Sequence, residues 1–250
     1  MTLHADRSGT GPAVVLVHGF TQNHRCWGSL PASLARRHRV IAVDAPGHGL
    51  SSDVRADLWE TAAHLAILDE HAAFVGYSMG ARMVLHTAIT HPERVDRLVL
   101  VSGTAGIDDP TERTARRERD DELAASIERD GLDAFLTRWL DQPLFATLPL
   151  DARDADARRE NTVEGLASSL RLAGTGTQEP LWERLRALTM PVLLVSGALD
   201  ERFTAHAKRM AALIGSNATV HTIDDAGHAC HRERPDEFAR VLETWLDQGT

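Results

Sequence analysis

Cysteine is nearly missing from this chain. Cys26 and Cys230 are the only two in 250 residues. One disulfide could form, but no disulfide framework can, and a reducing compartment is the simpler expectation. Excess positive charge is missing too: 27 basic residues face 36 acidic ones, for a formal net charge of -9. Phosphate backbones need a basic face, so nucleic acid is not an expected partner. An anionic small molecule stays open as a ligand, because a few arginines in a pocket outweigh an acidic surface. No uninterrupted apolar run nears the roughly 20 residues that cross a bilayer. The opening stretch MTLHADRSGTGP has no basic segment followed by an apolar core. No membrane partner is therefore expected, and the expected location is the cytoplasm. The sequence has no HExxH, no paired Cys/His spacing, no G-x-G-x-x-G and no Walker pattern. Neither a metal nor a nucleotide cofactor is expected.

What is present is an alternation. Short apolar runs stand at Ala13 to Val17, Val40 to Val43, Leu98 to Val101 and Val192 to Val195. They are rich in β-branched residues and apolar throughout, as parallel strands buried on both faces are. Gly, Pro, Ser or Asp bounds each run, and helical patterns separate them. This predicts an α/β protein with one mostly parallel central sheet flanked by helices. The final helix is the plainest: Phe238, Val241, Leu242, Trp245 and Leu246 form one apolar stripe, and Pro235 suits a first helical turn.

The middle is different. From about Ala105 to Trp182 there is no convincing strand. Charge is dense from Glu112 to Glu122, and then Leu132, Phe135, Leu136, Trp139 and Leu140 repeat the helical spacing. The expected organisation is a core of residues 1–104 and 183–250 with a helical cap inserted at 105–182. Gly174-Thr175-Gly176-Thr177 reads as the one flexible stretch of that insertion.

Gly76-Tyr77-Ser78-Met79-Gly80 matches G-x-S-x-G. Five residues alone are a weak signal, but these follow the apolar run Ala72 to Val75 and precede a helical pattern. Strand, sharp turn and helix make a nucleophile elbow, the mark of the α/β-hydrolase fold. A serine hydroxyl needs a base. Among 13 histidines, His228 stands out because Ala226-Gly227-His228 lies between the run Val220 to Ile223 and the final helix. Asp200 follows the strand at 192–195, where a carboxylate can fix the imidazole tautomer. The chain order Ser, Asp, His is the one this fold uses. His18-Gly19-Phe20 follows the first apolar run, and the backbone N–H groups of Phe20 and Met79 are the expected oxyanion donors. His18 and His48 read as structural loop residues.

Over nearly its whole length the chain resembles the 2-succinyl-6-hydroxy-2,4-cyclohexadiene-1-carboxylate synthases of menaquinone biosynthesis. The resemblance rests on VLVHGFTQNHRCW at 15–27, DAPGHGLS at 44–51, GYSMGAR at 76–82, the stretches 112–145 and 161–182, SGALDERF at 196–203 and AGHACHRERP at 226–235. The elbow and aspartate motifs are shared by many hydrolases. The stretches from the insertion and the histidine decapeptide discriminate better. The resemblance implies an elimination: the family's substrate is a cyclohexene bearing a succinyl chain and an enolpyruvyl ether, a ring proton is removed, and pyruvate leaves. Ser78, activated by His228 and Asp200, would be the base.

The implied substrate carries three carboxylates, so the pocket needs cations, and arginine matches a carboxylate best. The family's carboxylate-binding arginines map onto Arg82, Arg116 and Arg158. Arg113, Arg117 and Arg119 crowd Arg116, so its assignment stays open by a position. Tyr77 and Trp139 are expected pocket residues. The chain departs from the family at Ala81, at Ala105-Gly106-Ile107, at Leu140 where some members have tyrosine, and at Arg202 where lysine is frequent. The rival readings are a carboxylesterase or carbon–carbon bond hydrolase acting on a small anion, and an inactive anion-binding protein. The sequence does not set the oligomeric state.

Overall fold

The computed structural model describes residues 2–248. Seven strands form one sheet: β1 (Ala5–Ser8), β2 (Ala13–Val17), β3 (Arg39–Val43), β4 (Ala72–Tyr77), β5 (Val95–Val101), β6 (Val192–Gly197) and β7 (Ala218–Ile223), in the spatial order β1-β3-β2-β4-β5-β6-β7. All neighbours are parallel except β1, which pairs antiparallel with β3. β1 reads ADRS and has no apolar pattern, because it is an outer strand whose residues mostly face water. Its polarity also hides it from a search for apolar runs.

The helices are α1 (Leu30–Leu34), α2 (Leu58–Ala66), α3 (Met79–Thr90), α4 (Pro110–Asp130), α5 (Leu132–Leu140), α6 (Ala155–Arg158), α7 (Val163–Ala173), α8 (Glu201–Ile214), α9 (Cys230–Glu233) and α10 (Pro235–Leu246). Successive strand residues point to opposite faces of the sheet, so the apolar runs feed two cores. Val15, Val17, Phe74, Leu98 and Leu194 pack on one face with Met83 of α3 and Met210 of α8. Val14, Leu16, Val75, Val99 and Val195 pack on the other with Phe238 and Leu242 of α10. Asp57 caps α2, accepting from the Trp59 and Glu60 amides while the Glu60 side chain reaches back to the Asp57 N–H. That closed box defines where the helix starts.

Between β5 and β6 the described residues form no strand. Helices α4, α5 and α7 share their own apolar cluster of Ala124, Ile127, Phe135, Leu136, Leu166, Ala167 and Leu170. Asp109 starts α4 by accepting from the Glu112 amide at 2.8 Å. The Gly174–Thr177 stretch, read above as flexible, is instead a fastened turn. The Gly176 N–H donates to Asp120 at 3.1 Å, and Thr177 bonds back to the Gly174 carbonyl. A Cβ on Gly176 would sit 2.2 Å from the Arg117 nitrogen. These glycines serve close approach to α4 rather than mobility.

The strand order reverses between β2 and β4: from β2 the chain steps to β3 on one side and then to β4 on the other. Loops leaving the carboxyl ends of strands at such a point diverge and open a crevice. Val17 is paired with Gly76, so Phe20 and Ser78 emerge side by side.

Candidate active site

Ser78 sits at the turn between β4 and α3 with φ 52° and ψ −104°, a conformation costly for any residue with a Cβ, by roughly 1–3 kcal/mol. The surroundings enforce it. A Cβ on Gly76 would lie 2.3 Å from the Gly80 carbonyl oxygen, and one on Gly80 would lie 1.9 Å from that of Val17. Only glycine lets strand and helix pass this closely. The Ser78 amide is anchored by donation to the Val101 carbonyl at 2.8 Å.

His228 lies in the loop after β7, with its Nε2 3.0 Å from Ser78 Oγ and its Nδ1 2.7 Å from Asp200 Oδ2. A carboxylate only accepts, so Nδ1 carries the proton and Nε2 is left to accept from the serine hydroxyl. Asp200 is fixed in turn by the Phe203 amide, and the His228 carbonyl accepts from Ser102 Oγ at 2.8 Å. The His228 side chain is 2% exposed and that of Asp200 9%. A serine, an imidazole and a carboxylate thus form one hydrogen-bonded chain with its hydroxyl end at the crevice.

Met79 begins α3, so its N–H has no partner within the helix. The Phe20 N–H likewise has no acceptor among the described residues. The loop carrying Phe20 is stapled from several directions. Gln22 Oε1 accepts from the Gly19 amide at 2.9 Å. His18 donates from Nδ1 to the Gly19 carbonyl and accepts at Nε2 from the Ala45 amide. His48 does the same between the Pro46 carbonyl and the Thr21 amide. Burial holds both rings neutral, pushing His18 down to about 4 and His48 to about 3. Each ring therefore keeps one donor and one acceptor, as its two bonds require. These histidines fasten the loop and do not line the cavity.

The cavity over Ser78 brings together Tyr77, Met79, Phe20, Trp139 and all three arginines expected from the sequence. Arg82, one turn along α3, is 7% exposed and donates through Nη1 to the Ala173 carbonyl at 2.8 Å. Burial, with Arg116 nearby, pushes it down to about 10, so it stays charged at neutral pH. Arg116 donates through Nε to Asp120 at 2.8 Å, leaving its two terminal nitrogens for a ligand. Arg158, 2% exposed, bonds the Arg153 carbonyl at 2.7 Å and the Thr21 hydroxyl. Arg113 and Arg117 do not line the cavity, and neither does Arg119. Tyr77 is 3% exposed, and burial pushes its hydroxyl far above the usual range. Trp139 joins Phe20 edge-on at 5.1 Å between ring centres and stacks near Phe135.

Several lining residues were not foreseen: Gln22, Thr104, Asp120, Phe145, Ser169 and Phe203. Most carry no sequence signal of their own. Asp120 could have been flagged as the acid four residues after Arg116, on the same helix face. Both cysteines are buried free thiols, raised by burial to about 11 for Cys26 and about 12 for Cys230. Among the described residues His4, His24 and Asp44 could offer ligands to a cation, their atoms lying within 4.8 Å of one another. None of the three lines the cavity, and Asp44 is already engaged by the His24 ring at 2.9 Å.

A model of the alpha/beta hydrolase family matches residues 14–241. The chain is 32% identical over 257 residues to the 2-succinyl-6-hydroxy-2,4-cyclohexadiene-1-carboxylate synthase of Citrobacter koseri, covering 97% of this chain and 99% of that one. A relative from Bacillus subtilis (strain 168), which carries the same name provisionally, is 36% identical, with 94% and 90% covered. Among solved structures, MenH from S. aureus superposes with a TM-score of 0.91 at 31% identity, covering 98% of each chain. A thermophilic esterase from Thermogutta terrifontis superposes with a TM-score of 0.82 at 25% identity, covering 98% of this chain and 92% of that one. The chain belongs to the alpha/beta hydrolase family and, within it, to the 2-succinyl-6-hydroxy-2,4-cyclohexadiene-1-carboxylate synthases.

Proposed function

We propose that this enzyme is a carbon–oxygen lyase that eliminates pyruvate from 2-succinyl-5-enolpyruvyl-6-hydroxy-3-cyclohexene-1-carboxylate, giving 2-succinyl-6-hydroxy-2,4-cyclohexadiene-1-carboxylate. The observation that carries this reading is the Ser78–His228–Asp200 chain opening into a cavity lined by Arg82, Arg116 and Arg158. A neutral ester gains nothing from two buried arginines and a third beside them, and buried cations are costly while unpaired. A substrate with three carboxylates repays them.

The bond changes follow from the two structures. The ring proton lost from C2 is acidified by the adjacent succinyl ketone. Ser78 Oγ takes that proton while passing its own to His228 Nε2, and Asp200 stabilises the imidazolium. Negative charge moves onto the ketone oxygen, where the amides of Phe20 and Met79 can receive it. The charge then returns through the ring. The double bond at C3 shifts to C2, a new one forms between C4 and C5, and the C5–oxygen bond breaks. The enolpyruvyl group leaves as an enolate and takes up the proton held by His228, becoming pyruvate. Protons balance, and no cofactor is called for.

In this reading the arginines hold carboxylates, Tyr77 shapes the floor, and Trp139 closes the cavity from above. Residues 105–182 act as a cap on a core of 1–104 and 183–250. The separate apolar cluster of α4, α5 and α7 supports that division. Among the described residues no helix is long and apolar enough to cross a membrane. Two free thiols suit the cytoplasm as the working compartment. The rival is a carboxylesterase or carbon–carbon bond hydrolase, for which the same serine would attack carbon. The test is pyruvate release from the enolpyruvyl substrate. Rapid release supports the lyase. Turnover of simple esters without pyruvate release establishes the hydrolase, and failure of Ser78 to react with a fluorophosphonate points to a binding protein.

A further inference from the structure

Charge within the cavity does not balance the proposed substrate if only the three expected arginines are counted. The ionised residues lining it are Arg82, Arg116, Arg158, Arg202 and one carboxylate, Asp120. Asp120 is committed to Arg116 at 2.8 Å. Arg82, Arg116 and Arg158 minus Asp120 leave two positive charges for three carboxylates. Arg202 restores the third.

Arg202 stands at the start of α8, two residues after Asp200. Its own element places Phe203 against the His228 ring, 4.5 Å between centres. Its guanidinium carbon is 5.8 Å from the centre of the Phe203 ring. Among the described residues it has no carboxylate partner and no side-chain hydrogen bond. Unlike Arg82 and Arg158 it is exposed, so remaining unpaired costs it little. It lies on the His228 side of the cavity, whereas Arg82 and Arg116 are fastened to the Ala173–Gly176 segment.

We propose that Arg202 is a specificity-determining residue that binds one substrate carboxylate at the water-facing side of the cavity and steers the trianion inward. This rests on the lyase reading above. An exposed cation acts on encounter more than on the chemical step, and its effect is screened by salt. The role therefore separates from a structural one. Arg202→Gln should raise KM for the enolpyruvyl substrate about tenfold, corresponding to about 1.4 kcal/mol, with kcat within about twofold. Arg202→Glu should raise KM further. Arg202→Lys should recover most of the loss, because a point charge suffices for steering. The salt dependence of kcat/KM should be shallower in Arg202→Gln than in wild type.

The experiment is steady-state pyruvate release by wild type and the three variants at low and moderate ionic strength. Fluorophosphonate labelling of Ser78 and thermal melting serve as folding controls. The inference is overturned if Arg202→Gln keeps the wild-type KM and salt slope. It is overturned equally if Arg202→Lys is as impaired as Arg202→Gln. Absence of pyruvate release from wild type would instead overturn the lyase reading itself, so the two failures are distinguishable.

Discussion

The two walls of the cavity are built by different means. On the sheet side, Ser78, Met79 and His228 stand on tight loops at strand ends, and backbone geometry fixes them. The strained Ser78 turn, the two glycines and the Val101 anchor leave little room for alternatives. On the other side, Arg116, Asp120, Trp139 and Arg158 stand on helices between β5 and β6; side-chain hydrogen bonds hold the two arginines and Asp120, and ring contacts with Phe20 and Phe135 hold Trp139. In the proposed reading the first wall supplies general proton-transfer chemistry, and the second, together with Arg82 of α3 and Arg202 of α8, decides which molecule meets it. The lesson is that reaction type and substrate choice can be damaged independently, and substitutions on each wall should fail differently.

The largest effect is expected from Ser78→Ala. It removes the hydroxyl but keeps a Cβ that the turn already accommodates. Pyruvate release should fall on the order of 10^4-fold or more, as when a member of a serine–histidine–aspartate set is lost. Thermal stability and substrate affinity should barely move, which a melting curve and a binding titration would check. A matching loss of affinity would mean that Ser78 itself also selects substrate, and the contrast would break.

Between pH 7.5 and 5, acid should act through buried histidines that all lie outside residues 105–182. His18, His48, His86 and His231 are buried in the core and held neutral by burial, His86 at about 4 and His231 well below its ordinary value. Residues 105–182 contain no histidine. In the unfolded chain each ring titrates near 6.5, so below that pH the unfolded state binds protons that the folded state refuses. Stability is therefore complete above about pH 6.5 and is lost as pH falls towards 4. The slope approaches about 1.4 kcal/mol per pH unit for each histidine. Urea midpoints between pH 7.5 and 5 would measure it, and a flat profile would show that these rings are not held neutral.

Arg82→Met separates stability from function. Arg82 is a buried cation close to a second one, Arg116, and both line the cavity over Ser78. Replacing it with an apolar side chain of similar length should stabilise the unliganded protein by about 1–3 kcal/mol. It should also lower kcat/KM on the order of 10²-fold, since truncating a buried charge contact costs several kcal/mol. A variant that is both less stable and less active would make Arg82 a structural residue.

The sheet-side wall was far easier to read in the sequence. The apolar runs, the G-x-S-x-G turn and the placement of Asp200 and His228 are local patterns, and local patterns survive in one dimension. Strand β1 escaped because an outer strand facing water needs no apolar residues. On the insertion side the arginines came from resemblance, not from spacing. Four arginines at 113, 116, 117 and 119 look alike on a charged helix, and only packing against α7 decides that Arg116 faces the cavity. Gly174–Thr177 was misread for the same reason. Its glycines signal close approach to α4, and the partner that reveals this is more than fifty residues away.

Asp120 ties that distant partner to Arg116, and its replacement gives the finest test of the contrast. Its two oxygens divide their work: Oδ1 orients Arg116 through Nε, and Oδ2 holds the Gly176 amide. The same segment accepts from Arg82 through the Ala173 carbonyl. One buried carboxylate therefore sets the position of two cations without itself meeting the reacting atoms. Asp120→Asn keeps the shape, and its amide oxygen can still accept from one partner. It loses the charge that fixes the guanidinium. The expected result is a KM raised about tenfold, worth about 1.4 kcal/mol, with kcat and the reactivity of Ser78 towards fluorophosphonate unchanged. Measured as a cycle with Arg116→Gln, the two effects should not add, because each variant destroys the same contact. Additive losses would mean that Asp120 acts on the Gly174–Thr177 turn alone. Arg116 would then be positioned by the shape of α4, and the insertion-side wall would owe its selectivity to backbone, as the sheet-side wall does.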